Sequence, residues 1–102
     1  MQQKLIFFVD DDKMILNLLE YIFRSKEEFV IKTFDSGEKC LEHLSMNPDL
    51  IVLDHFFTNN KNSLTGLETL EKILEEKPYM KVVMLSSQDN EKLIPEFINR
   101  LL

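Results

Sequence analysis

With 102 residues, 44% of them hydrophobic, and only two glycines and three prolines, the chain has the makings of a single ordinary core and little that would keep it disordered. Twelve Lys and Arg against 18 Asp and Glu leave a net charge of -6, with no basic cluster able to neutralise a line of phosphates, which argues against direct nucleic-acid binding. The apolar run at residues 5–9 is too short for a signal-peptide core or a membrane span, and the lone Cys40 can form no internal disulfide. A cytoplasmic protein in a reducing compartment is therefore expected, with no membrane attachment and with Cys40 as a small buried apolar residue.

Apolar, β-branched runs alternate along the chain with stretches of helical period, the pattern of a parallel sheet built from βαβ units. The first strand covers residues 5–9 and stops on Asp10, Asp11 and Asp12. Ile15, Leu18, Leu19, Ile22 and Phe23 then recur at helical spacing, which predicts a helix over about residues 12–25 capped by Asp11 or Asp12. A second strand is predicted over residues 29–34.

Asp35 and Glu38 stand at capping-box spacing and open a second helix that runs to about Ser45, with Leu41 and Leu44 facing inward. Asn47-Pro48 closes it. The third strand, residues 50–53, is apolar without alternation, so burial on both faces is expected, and it stops on Asp54. Residues 55–63 are rich in turn formers and predict an exposed loop beside the strand ends. Thr65 and Glu68 cap a third helix whose expected buried stripe is Leu67, Leu70, Ile73 and Leu74, ending near Lys77-Pro78. Residues 81–85 form the fourth strand, stopping on Ser86 and Ser87. Pro95 then lies in the first turn of a last helix or kinks one that began earlier.

Parallel strands carry their C-terminal ends to one side, so Asp10, Asp11, Asp54 and Ser86 are expected to line one crevice. Mg²⁺ favours oxygen donors such as these carboxylates, and three carboxylates held together repel unless a cation shares them. A carboxylate can attack phosphorus to give an acyl phosphate, and Asp54, alone at the end of the most buried strand, is the candidate nucleophile. Asp12 reads as a helix cap, Ser87 as a cap or a neighbour of the phosphoryl group. His43 and His55 offer no metal-site spacing; His43 is expected on a solvated helix face and His55 beside the loop.

The combination of Phe8-Val9-Asp10-Asp11, Pro48-Asp49-Leu50-Ile51-Val52-Leu53-Asp54 and Met84-Leu85-Ser86-Ser87 resembles the receiver domain of two-component response regulators over almost the whole chain. The resemblance implies a flavodoxin-like, doubly wound α/β fold with sheet order 2-1-3-4, and residues 1–102 as one receiver domain. It implies that Asp54 accepts a phosphoryl group from a sensor histidine kinase or phosphotransfer protein. Asp10, Asp11, Asp54 and the backbone carbonyl of Phe56 would hold Mg²⁺, Ser86 would hydrogen-bond the phosphoryl group, and Phe56 and Gln88 would tune its loss.

Two departures from the family pattern stand out. Phe57-Thr58 replaces the usual Met-Pro after the acceptor, and Gly66 arrives late behind a lengthened Asn-rich loop. The family's fifth strand with its Lys, and its fifth helix, find no counterpart through Leu102, so a C-terminally truncated receiver is expected, and Lys92 lies in the wrong segment to stand in. An uncovered fourth strand and the apolar tail Leu93, Ile94, Phe97, Ile98, Leu101 and Leu102 predict self-association. Two other readings compete: a haloacid dehalogenase-type phosphatase using Asp10, Asp12 and Ser86, and a phosphorylation-impaired receiver fragment acting as an interaction module.

Overall fold

The computed structural model describes residues 3–54 and 64–85. The elements run β1 (Lys4–Val9), α1 (Lys13–Phe23), β2 (Phe29–Phe34), α2 (Gly37–Glu42), a single 3-10 turn (Leu44–Met46), β3 (Leu50–Asp54), α3 (Gly66–Glu76) and β4 (Val82–Leu85). The four strands form one parallel sheet in the order β2-β1-β3-β4. This is the expected doubly wound α/β arrangement.

β1 and β3 occupy the middle of the sheet, and their continuous apolar runs follow from burial on both faces. Alternate residues serve opposite layers. Ile6 and Phe8 of β1 with Val52 of β3 meet Ile15, Leu16, Leu19 and Phe23 of α1 and Phe29 of β2. Phe7 and Val9 with Ile51 and Leu53 instead meet Phe34, Cys40, Leu44 and Ile73. Aromatic rings join the elements within each layer: Phe23 stands edge-on to Phe29 at 5.5 Å, and Phe7 edge-on to Phe34 at 4.8 Å.

Helix boundaries follow local chemistry. Asp12 caps α1, its side chain accepting from the Met14 N–H, which settles the choice between Asp11 and Asp12. The cap of α2 corrects the expected Asp35–Glu38 box. Ser36 supplies it, accepting from the Lys39 N–H, because Asp35 pairs with the Lys39 ammonium at 2.9 Å instead. α2 also ends at Glu42, three residues earlier than expected, and tightens into the 3-10 turn. Asn47 then takes the left-handed conformation (φ 54°), a shape asparagine tolerates, and its N–H closes on the Leu44 carbonyl before Pro48.

The full capping box of α3 forms as expected: Thr65 accepts from the Glu68 N–H and the Glu68 side chain accepts from the Thr65 N–H. Its buried stripe differs from expectation. Gly66, Thr69 and Ile73 face inward and Leu70 is half-buried, whereas Leu67 and Leu74 are 50% and 38% exposed. The reason is a close helix crossing: a Cβ placed on Gly37 of α2 would lie 1.9 Å from the Thr69 hydroxyl oxygen. A leucine has no room in that seam, so the short Thr69 occupies it and satisfies its hydroxyl by donating to the Thr65 carbonyl.

At the N-terminal pole of the sheet, Asp49 clasps β1. Its N–H donates to the Leu5 carbonyl at 2.7 Å and its carboxylate accepts from the Leu5 N–H at 2.8 Å. β2 and β4 are the edge strands among the described residues, and all four residues of β4 are half-buried. The expected loop over residues 55–63 and the apolar tail beyond Leu85 lie outside the described residues.

Candidate functional site

β1 and β3 are parallel neighbours with Val9 opposite Leu53, so the next residue of each strand, Asp10 and Asp54, emerges at the same level of the sheet. The Asp10 N–H donates to the Phe34 carbonyl and so continues the β1–β2 ladder by one rung. Asp54, the last residue of β3, is opposite Leu85 of β4. Asp11 is the first residue free of the ladder and is exposed. Each of Asp10, Asp11 and Asp54 offers a carboxylate oxygen within 4.8 Å of the others.

The ground beneath the cluster is apolar. A small cleft between sheet and α1 is lined by Phe8, Val9, Ile15, Leu19, Val52 and Leu85 together with Asp10 and Asp54. Asp10 and Asp54 are only 6% and 9% exposed. Burial therefore dominates the chemistry of Asp10, pushing its carboxyl up to about 7. The hydrogen bond from the Asp12 N–H to its Oδ1 at 2.9 Å favours the charged form, but the charges of Asp54 and Asp11 and a hydrogen bond with Asp54 act the other way. The Asp11 carboxyl is also raised, by burial first and by the Asp54 charge second.

The donor set suits a hard divalent cation. Three carboxylate oxygens converge, no histidine or thiol among the described residues takes part, and the repulsion that adds to the effect of burial on Asp10 and Asp11 is the kind that bound positive charge would relieve. The residues present thus fit Mg²⁺.

Of the residues singled out from sequence, Asp10, Asp11 and Asp54 are brought together, and Asp12 stands apart from the trio as the cap of α1. This weakens the dehalogenase-type reading, which needs Asp12 in the site and leaves Asp54 without a role. Ser86, Ser87, Phe56, His55, Gln88 and Lys92 lie outside the described residues. Cys40 is completely buried, and burial pushes its thiol up to about 12. His43 is exposed as expected, with Nδ1 2.8 Å from the Lys39 carbonyl and its ring against Phe34.

Sequence reasoning missed Glu38. Assigned there to a helix cap, it reaches across from α2, and its Oε2 accepts from the Leu64 N–H at 3.1 Å, just ahead of the Thr65 cap of α3. Its Oε1 is buried and has no hydrogen-bond partner among the described residues. No local pattern announces such a contact, which joins residues 26 positions apart.

A parallel α/β sheet thus carries three acidic side chains at the C-terminal ends of its two middle strands. The family model for the response regulator receiver domain matches residues 6–100, and the chain belongs to that family. It is 32% identical over 88 residues to the alkaline phosphatase synthesis transcriptional regulatory protein PhoP of Bacillus subtilis, covering 86% of this chain and 35% of that protein. It is 31% identical over 90 residues to the response regulator protein VraR of Staphylococcus saprophyticus, covering 84% of this chain and 41% of that protein. The chain thus spans well under half the length of these relatives.

Among solved structures, the receiver domain of NtrX from Brucella abortus superposes with a TM-score of 0.69 at 27% identity, covering 93% of this chain and 78% of that one. A receiver domain from Clostridium thermocellum gives 0.70 at 19% identity, covering 95% and 75%, a likeness of fold alone. Among the described residues, no helix is long and apolar enough to cross a membrane.

Proposed function

We propose that this receiver domain takes a phosphoryl group onto Asp54 from the phosphohistidine of a sensor histidine kinase or phosphotransfer protein, in a Mg²⁺-dependent reaction. The observation that carries the reading is the meeting of Asp10, Asp11 and Asp54, with carboxylate oxygens within 4.8 Å of one another over an apolar floor. An Asp54 carboxylate oxygen attacks phosphorus, the new O–P bond forms as the histidine N–P bond breaks, and the histidine nitrogen keeps the bonding pair.

Asp10, Asp11, Asp54 and the Phe56 backbone carbonyl would hold the metal ion, which when bound supplies positive charge to offset the phosphoryl oxygens. Asp10 must give up its proton to serve as such a ligand. Its backbone hydrogen bond from Asp12 favours the deprotonated form and keeps the carboxylate aimed. Ser86 donates a hydrogen bond to the phosphoryl group and Ser87 flanks it. The acceptor is consumed once per transfer, so the protein acts as a switch rather than as an enzyme. Residues 1–102 act as one domain, and the cytoplasm is where such a switch would meet its kinase.

The test is incubation with Mg²⁺ and a small phosphodonor, followed by a search for an acid-stable, hydroxylamine-labile adduct. Labelling of the wild-type protein that disappears in Asp54→Ala supports the reading. Absence of any adduct favours the interaction-module reading, and an adduct mapped to Asp10 favours the phosphatase. Self-association through β4 belongs to the same reading, because that strand has no outer neighbour among the described residues. Light scattering that finds only monomer at high concentration would remove it.

A further inference from the structure

The end of the sheet opposite the acidic pocket carries a second concavity, a groove of about 560 Å³ between the starts of β1, β3 and β4 and the end of α3. Its charge runs against that of the molecule. The chain has a net charge of -6, yet the groove is lined by three lysines, Lys4, Lys77 and Lys81, and by a single acid, Asp49. One Asp49 carboxylate oxygen is already engaged by the Leu5 N–H. None of the three ammonium groups forms an ion pair among the described residues.

The lysines come from three separate elements, and the backbone of each is fixed. The Lys4 N–H donates to the Glu28 carbonyl at 3.0 Å, the Lys77 N–H to the Ile73 carbonyl at 2.8 Å, and the Lys81 carbonyl accepts from the Ile51 N–H at 3.0 Å. Lys77 is held at its far end as well, where its ammonium donates to Asn47 Oδ1 at 2.5 Å. An ammonium carries three donors, so Lys77 is aimed without being exhausted. The ground between the cations is apolar, made by Pro48, Pro78, Tyr79 and Met80. Tyr79 is 97% exposed, the most exposed large apolar side chain among the described residues. It stands in a tight turn closed by the Met80 N–H on the Lys77 carbonyl at 3.0 Å.

We infer that this groove docks a short, extended acidic segment of a partner protein, with its carboxylates on Lys4, Lys77 and Lys81 and an apolar residue laid on Pro78, Tyr79 and Met80. Charge complementarity selects the occupant: a local excess of positive charge on an acidic protein attracts a few carboxylates over a short reach. A nucleic acid or an anionic membrane fits less well, because three cations meet only a few phosphates while the rest of the molecule repels a polyanion. The inference does not depend on phosphoryl transfer. The groove lies at the other end of the strands from Asp10 and Asp54, so a segment held there leaves the acidic pocket open.

The experiment measures, by fluorescence anisotropy, binding of the labelled peptide Glu-Glu-Leu-Pro-Leu-Glu-Glu and of its counterpart with Gln for Glu. The proteins compared are wild type, Lys4→Gln/Lys77→Gln/Lys81→Gln, Tyr79→Ala, Asp54→Ala, and a control with the same charge change elsewhere, Lys13→Gln/Lys32→Gln/Lys72→Gln. Wild type is expected to bind the acidic peptide and not the Gln peptide, and to bind it more weakly as salt rises. The groove triple variant is expected to weaken binding about tenfold and Tyr79→Ala about threefold, with the control triple and Asp54→Ala within about twofold of wild type. Amide NMR shifts during the titration are expected at Lys4, Asp49 and Tyr79 and not at Asp10 or Asp11.

Equal weakening in the two lysine triples would reduce the effect to general attraction and overturn the inference. So would equal binding of the Gln peptide, shifts centred on the acidic pocket, or no binding of the acidic peptide by wild type. A groove triple that melts well below the control triple would show that the lysines hold part of this chain instead, which also overturns it. Phosphatidylglycerol vesicles that bind wild type when the peptide does not would assign the groove to a membrane and overturn it likewise.

Discussion

Asp10 and Asp54 meet because the residues just before them, Val9 and Leu53, are partners in the β1–β3 ladder. Neither carboxyl reaches for the other from a loop. Two adjacent parallel strands of the same sheet end at one level, and the acidic pair is the first thing beyond their apolar runs.

That meeting has a pH signature. Burial holds the Asp10 carboxyl up at about 7, against an ordinary 3.8 that it regains on unfolding. Between about pH 4 and pH 7 the folded protein keeps a proton that the unfolded chain has lost, so stability without metal falls as pH rises through that window and levels off above it. The raised Asp11 acts in the same direction. Asp35, lowered by its hydrogen bond to Lys39, has the opposite sign, and its loss lies below about pH 4, outside the window. Urea unfolding across this range checks the sign, and Asp10→Asn is expected to flatten the slope. Millimolar Mg²⁺ is expected to raise the melting temperature more at pH 8 than at pH 5.

Removing the proposed acceptor separates stability from function. Asp54→Asn takes one charge from a repelling trio and is expected to stabilise the metal-free protein at pH 8 by roughly 0.5–2 kcal/mol while abolishing phosphoryl uptake. Denaturant midpoints and hydroxylamine-labile labelling on the same samples test both halves. A destabilised variant would contradict the repulsion argued for the pocket.

The α2–α3 crossing predicts a steep response at Gly37. Gly37→Ala puts a methyl 1.9 Å from the Thr69 hydroxyl oxygen and should cost roughly 1–3 kcal/mol, because the close approach must widen. Thr69→Ala removes the hydroxyl and the methyl at 3.1 Å, leaving only the Thr69 Cβ at 3.0 Å. The double variant is therefore expected to regain part of the loss, a non-additivity readable in a double-mutant cycle.

Cys40 offers a probe of opening. It is completely buried with its thiol pushed up to about 12, so a thiol reagent at pH 8 should react only when the fold opens. Labelling kinetics that follow the unfolding free energy through the denaturant series are the expected outcome. Fast modification of native protein would show that the α2 layer opens separately from the sheet.

The strands and the trio of carboxylates were legible from sequence because they are written locally: a run of apolar residues buried on both faces needs no partner to be recognised, and each ends on its acid. The α3 stripe was not. Leu67 and Leu74 have the spacing of a core face, yet Thr69 is the buried residue, since what fits depends on Gly37 in another helix. The α2 cap was misplaced for a similar reason. Asp35 has the right chemistry, but the Lys39 side chain engages it and Ser36 takes the role. The elevation of Asp10 was legible only as repulsion, whereas burial is its larger cause and comes from the packing of α1 on the sheet.

The Asp49 clasp on Leu5 lies at the opposite pole from the acidic pocket, yet it gauges that pocket. It fastens the beginning of one middle strand to the beginning of the other, and the equal steps from Leu5 to Asp10 and from Asp49 to Asp54 then deliver the two acids side by side. A slip of one position would turn every side chain of β1 to the wrong layer and carry Asp10 out of step with Asp54 by about 3.3 Å. The spacing of the two acids is thus measured out from the far edge of the domain, and an error at Asp49 would be felt at the acidic pocket.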